Sequence, residues 1–111
     1  MFIAMNRFRI NRGFEADFER LWRERQSRLA QVLGFVTFRL LKGPEDEETT
    51  LYASHTTWAS RGHFDAWRES EAFHKAHAQA KAPQGTYAGH PVLELFDVVL
   101  EESAPAPAPG S

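Results

Sequence analysis

The chain has 111 residues, 42% of them hydrophobic and 13% aromatic, a size that sets one small domain with nine Phe and three Trp to build a core. A formal net charge of −2 excludes a general basic field for nucleic acid or an anionic membrane. With no cysteine, disulfides and thiolate ligation of a metal or heme iron are excluded as well.

The opening patch from Met1 to Met5 is too short for a signal segment, and no apolar run reaches the length of a membrane span. The expectation is a soluble, cytoplasmic protein. Phe2, Ala4, Phe8 and Ile10 alternate with Ile3, Met5, Arg7 and Arg9, the period of a half-buried strand. Asn6 falls on the Phe2/Phe8 face. Asn11-Arg12-Gly13 is a turn and helix-start signal. Phe14, Phe18, Leu21, Trp22, Leu29, Val32 and Leu33 then follow helical spacing, and Gly34 stops that helix.

Residues 35–41 read as a second strand, closed by Gly43-Pro44, and the acidic run 46–48 suits an exposed hairpin loop. Residues 49–58 are rich in β-branched and aromatic side chains and make a third strand. Ser60 can cap a short helix through about Glu69, and Ser70 a second one through about Ala80. Residues 81–91, with two Pro and two Gly, read as a mobile loop. Residues 92–100 form a last strand. The domain is expected over residues 1–101, with a disordered Pro/Ala tail over 102–111. The order β-α-β-β-α-β is the ferredoxin-like α+β pattern, one sheet with helices on one face. Its bare face is hidden if two sheets pair, so a homodimer in the form of an α+β barrel is expected.

Three residues stand out chemically. His77 shares a helix face with Phe73, Ala76 and Ala80, and small neighbours leave room for a flat ring beside the imidazole. Spacing alone fits either a packed or surface histidine or a ligand to iron. Trp67, ten residues earlier and three after Phe64, reads either as core or as a wall against a bound ring. Asn6 is an amide on an apolar strand face, and when buried it must bond either to backbone or to a ligand. His63, His74 and His77 lack carboxylate partners at ligand spacing, which argues against a simple metal-ion site. No Gly-flanked nucleophile and no Gly-rich phosphate loop occurs, so neither serine-type catalysis nor a flavin or NAD site is expected. The first helix's Arg20, Arg23, Arg25 and Arg28 interleave with Glu19 and Glu24 as a salt-bridged face from which one can meet an anionic ligand group.

With these residues in view, the chain resembles the antibiotic biosynthesis monooxygenase superfamily, and within it the IsdG-like heme-degrading monooxygenases of bacterial iron uptake. The carriers are Met5-Asn6-Arg7, Gly34-Phe35, Trp58, Ala66-Trp67 and the run Phe73-His74-Lys75-Ala76-His77-Ala78. The resemblance implies a dimeric barrel with one heme per subunit between helices and sheet. It implies His77 as proximal iron ligand, Asn6 at the distal oxygen site and Trp67 holding the porphyrin ruffled, with Phe73, Phe64 and Trp22 completing the heme-contacting set. Heme would be substrate and cofactor together, opened with dioxygen and electrons from an external donor or reductase, and iron would be released. The loop before Pro91 would order over bound heme. The alternatives are a cofactor-independent oxygenase acting on an aromatic or quinol metabolite, and a non-catalytic heme-binding or storage protein.

Overall fold

The computed structural model of the chain describes residues 1–25, 28–70 and 82–105. The strands read in the sequence are β1 (Phe2–Asn11), β2 (Phe35–Glu45), β3 (Thr49–Trp58) and β4 (Val92–Asp97). They form one antiparallel sheet in the order β2-β3-β1-β4. Two helices, α1 (Glu15–Glu24) and α2 (Arg61–Arg68), complete the ferredoxin-like order among the described residues. No helix among them is long and apolar enough to cross a membrane.

Helix α1 starts where the Gly13 turn allows it. Gly13 sits at φ +97, and its N–H donates to the Glu15 carboxylate at 2.6 Å. Two carboxylates one helical turn apart then pin α1 to β3. Glu15 accepts from the Thr50 hydroxyl at 3.2 Å, and Glu19 from the Tyr52 hydroxyl at 2.6 Å. Burial, then the Glu19 bond, raises the Tyr52 phenol far above its ordinary pKa, so it stays a neutral donor. Helix α2 is capped as its sequence predicts: the Ser60 side chain accepts from the His63 N–H at 3.3 Å.

Two apolar clusters hold the helices to the sheet. Under α1 lie Phe8, Ile10, Phe18 and Tyr52, with Phe14, Trp22 and Leu40 against them. Under α2 lie Phe2, Ala4, Leu29, Trp58 and Phe64, with Trp67 and Leu95 among their neighbours. By strand alternation, Ile3, Met5, Leu51, His55, Val92 and Phe96 face the other side of the sheet, which no helix among the described residues covers.

Several boundaries differ from expectation. The first helix ends at Glu24 instead of reaching Leu33, with Arg25 already extended and Arg28 left-handed at φ 55. The apolar residues beyond Glu24 share a spacing but not a destination: Leu29 is buried against Trp58 and Phe64 in a short 3₁₀ turn, whereas Leu33 is 81% exposed. β2 runs through Gly43 and Pro44 to Glu45 because β3 still offers partners, a register shift between Lys42 and Glu45 absorbing the irregularity. Asp46 then closes the hairpin, accepting from the N–H groups of Thr49 and Glu48, which hold its carboxyl below the usual aspartate pKa. β4 stops at Asp97 instead of Leu100, since its partner Phe2 is the first residue of β1.

At the end of α2 the Ser70 hydroxyl donates to the Trp67 carbonyl at 2.5 Å. The helix expected after it, with Phe73, His74 and His77, lies outside the described residues. Nor is the segment 82–91 the mobile loop read from its Pro and Gly content. Thr86 is fully buried, Ile10 and Tyr87 form a bridge, and the Asn11 and Ala88 N–H groups bond to the Thr86 and Arg9 carbonyls, each at 2.9 Å.

Candidate functional site

The two clusters grip opposite ends of the sheet, and between them the helices leave a cavity of about 390 Å³. Its floor is the middle of β1 and β3: Ala4, Asn6 and Phe8 beside Ser54 and Thr56, with Asn6 and Ser54 directly paired across the strands. Trp22 of α1 and Arg25 just beyond its end line one wall, Phe64, Trp67 and Arg68 of α2 another, and Tyr87, Pro91 and Leu93 line the β4 side. A site of this volume falls within the ~300–1,000 Å³ of small-molecule and cofactor pockets.

Strand alternation explains the floor. Inward positions of β1 read Phe2, Ala4, Asn6, Phe8, Ile10, and those of β3 read Thr50, Tyr52, Ser54, Thr56, Trp58. β1 is apolar toward its ends and polar at Asn6; in β3 Tyr52 and Trp58 flank the polar pair Ser54 and Thr56. The polar Thr50 beyond Tyr52 is bonded to Glu15, so the polar groups left unbonded among the described residues fall in the middle, where the cavity lies. The Asn6 side chain makes no hydrogen bond among the described residues. Its amide is therefore available to a ligand.

The walls are aromatic. Trp22 stacks on Phe38 with ring centroids 5.5 Å apart and planes 16° from parallel. Trp67 lies half-buried, 5.4 Å from Trp58 and 6.3 Å from Phe64, so it is at once a core residue and a cavity wall. Arg25 lies over Trp22, its guanidinium carbon 4.1 Å from the ring centroid, and over Phe38 at 5.2 Å. Desolvation lowers Arg25 to about 10, so at neutral pH it is still a cation, partly buried. Neither Arg25 nor Arg68 has an ion-pair partner among the described residues. An unpaired, partly desolvated guanidinium gains from an anionic ligand group.

Of the residues singled out in the sequence, Asn6, Trp22, Phe64 and Trp67 therefore line one cavity. Phe73 and His77 lie outside the described residues. Ser54, Thr56, Arg68 and Tyr87 were not anticipated. The break in the apolar alternation of β3 was a signal for the first two; Arg68 adjoins Trp67 but reads as an ordinary surface cation; Tyr87 depends on a loop whose path the sequence does not give.

Comparison with known proteins bears directly on this arrangement. Residues 1–79 match the model of the family described as Antibiotic biosynthesis monooxygenase. The chain belongs to this family. A curated relative, the heme-degrading monooxygenase of Shouchella clausii (strain KSM-K16), is 31% identical over 65 residues, 59% of this chain and 60% of that protein. The match thus spans three fifths of the relative's length. The heme-degrader MhuD of Mycobacterium tuberculosis, solved with two hemes in its active site, is similar at 28% identity and a TM-score of 0.68, covering 93% of this chain and all of that one. An MhuD mutant with two manganese protoporphyrin IX molecules per active site superposes with a TM-score of 0.76 at 25% identity, over 94% of this chain and 100% of that one. A further family member from Bacillus cereus, at 14% identity and a TM-score of 0.72 over 93% and 97% of the two chains, shares the fold.

Proposed function

We propose that this family member is a heme-degrading monooxygenase that binds heme in the cavity between α1 and α2. The observation that carries the reading is a cavity with flat aromatic walls and, among the described residues, an amide without a hydrogen-bond partner in its floor and two guanidiniums without counter-ions on its lining. That donor set fits heme: a broad apolar ring, polar chemistry at its centre and two carboxylates at its edge. The likeness to MhuD and to the Shouchella clausii enzyme supports the same choice.

Bound heme supplies the iron that activates dioxygen and is itself the molecule oxidised, with electrons from an external donor. The chain's own residues orient and confine it. His77, ten residues beyond Trp67, is proposed as the iron ligand. Asn6 donates its amide N–H from the floor toward the oxygen site, and Trp67, backed by the buried Trp58, presses on the ring. Trp22, Phe64 and Phe73 exclude water from the ring faces. Arg25 and Arg68 meet the carboxylates. The bare outer face of the sheet, with Ile3, Met5, Val92 and Phe96, is proposed to pair with the same face of a second copy.

Titration of the purified protein with hemin tests the reading. A saturable Soret band that is lost or shifted in His77→Ala is expected, followed by decay of that band when ascorbate and oxygen are supplied. No saturable complex, or one unchanged in His77→Ala, would sink the ligand assignment. A complex that persists under ascorbate and oxygen would make the protein a heme carrier.

A further inference from the structure

We infer that Tyr87 is a further ligand-positioning residue, its phenol donating a hydrogen bond to a carboxylate on the edge of the bound ligand. The inference rests on the porphyrin reading above. The chain has two tyrosines with opposite surroundings. Tyr52 is 1% exposed and its hydroxyl is committed to Glu19 at 2.6 Å. Tyr87 is 39% exposed, lines the cavity, and its hydroxyl has no hydrogen-bond partner among the described residues.

The position of Tyr87 is fixed on both sides. Its ring packs edge-on against Phe18, with centroids 5.9 Å apart and planes at 88°, and lies 6.3 Å from Phe8. Its backbone bridges Ile10, while Asn11 holds the Gly85 carbonyl through its side chain at 2.8 Å. The fully buried Thr86 donates its hydroxyl to the Pro83 carbonyl at 2.6 Å. A donor on so fixed a support loses little freedom when a ligand arrives. Burial also holds the phenol above its ordinary pKa, which keeps the proton on the oxygen.

The acceptor follows from the rest of the lining. Arg25 and Arg68, without ion pairs among the described residues, draw the anionic edge of a ligand to the cavity they share with Tyr87. Tyr87 is both part of the lining and 39% exposed, so a carboxylate it meets can keep part of its hydration. A neutral donor lining the same cavity as two cations adds direction where the guanidiniums add charge. Heme-edge carboxylates satisfy all three groups.

Zinc protoporphyrin IX, which binds without turnover, and its dimethyl ester separate the possibilities. Tyr87→Phe keeps the ring packed on Phe8 and Phe18 and removes only the hydroxyl. Its dissociation constant for zinc protoporphyrin is expected to rise about tenfold, the size of a lost hydrogen bond to a charged acceptor. For the dimethyl ester the change is expected to stay within about twofold. In the wild type, NMR of ¹³C-labelled tyrosine, with the Tyr87 signal assigned by its absence in Tyr87→Phe, should show the Tyr87 ionisation moving to higher pH when zinc protoporphyrin binds. Equal affinities of wild type and Tyr87→Phe, an equal loss for acid and ester, or an unmoved Tyr87 ionisation would each overturn the inference and leave porphyrin binding standing. A wild type that binds neither porphyrin removes the functional reading and this inference together.

Discussion

The two ends of the inward sheet face are built differently from its middle, though the same two strands run through both. At the α1 end, Phe8, Ile10, Phe18 and Tyr52 close on one another, with Phe8–Phe18 and Phe18–Tyr52 centroids at 5.3 and 4.9 Å. At the α2 end, Phe2, Trp58 and Phe64 do the same, and both Phe18 and Trp58 are fully buried. In the middle, Asn6, Ser54 and Thr56 stand where apolar residues would have drawn the helices together. Stability therefore resides at the ends and ligand chemistry in the gap between them. A cavity in so small a domain is tolerable because each helix is anchored outside it.

Substitutions can break or sharpen that division. Phe18→Ala, which removes a ring from the centre of the α1 cluster, should destabilise folding by ~3–5 kcal/mol in urea denaturation. Gly34→Ala attacks the other end. Gly34 lies at φ +85, and a Cβ there would fall 2.2 Å from the His63 ring, so a loss of ~2–3 kcal/mol is expected. Ser60→Ala, which deletes the α2 cap, should cost about 1 kcal/mol by the same measurement. Asn6→Ala belongs to the gap: folding stability should change by less than ~0.5 kcal/mol while dioxygen-dependent loss of the Soret band slows. A stability loss beyond about 1 kcal/mol in Asn6→Ala would show that the amide serves the fold, and the division would fail.

Acid should act on a third region, the β2–β3 hairpin. The Asp46 carboxyl lies below its ordinary pKa in the folded chain, because the Thr49 and Glu48 N–H groups stabilise its charged form. Its contribution is complete above the ordinary aspartate pKa and fades as pH falls through the lower folded value. Asp46→Asn should therefore flatten the acid limb of a stability profile and leave the ligand affinity of the gap unchanged.

Much of this division was legible in the sequence. Period-two alternation marked the first strand, apolar, β-branched and aromatic runs marked the other three, Ser60 marked a helix start, and one amide on an apolar face pointed to Asn6. The extent of the first helix was not legible, because Leu29, Val32 and Leu33 keep helical spacing while Leu29 is buried in the core, Val32 packs against its edge and Leu33 is exposed. The same limit hid Tyr87. Pro and Gly between 83 and 91 read as freedom, yet hydrogen bonds from residues distant in sequence, Arg9 and Asn11, hold that segment in place. Spacing reports a local preference; what a residue meets across the sheet is a matter of tertiary contact. Arg25 lay between these cases: the charge was visible, but its position over Trp22, without an ion pair among the described residues, depends on where α1 stops.

The sheet's two borders carry one more consequence, for behaviour at high protein concentration. An edge strand offers unpaired N–H and C=O groups to any stray strand, and long, flat edges are templates for aggregation. On one border, β2 breaks its own regularity with a register shift after Lys42 and with Pro44, which has no N–H to offer. On the other, β4 is only six residues long, and Gly89 at φ +133 and Pro91 interrupt the run between it and the Tyr87 bridge. Neither border gives an incoming strand a long uninterrupted ladder, which lets a sheet with one face uncovered by any described helix avoid growing sideways into fibres.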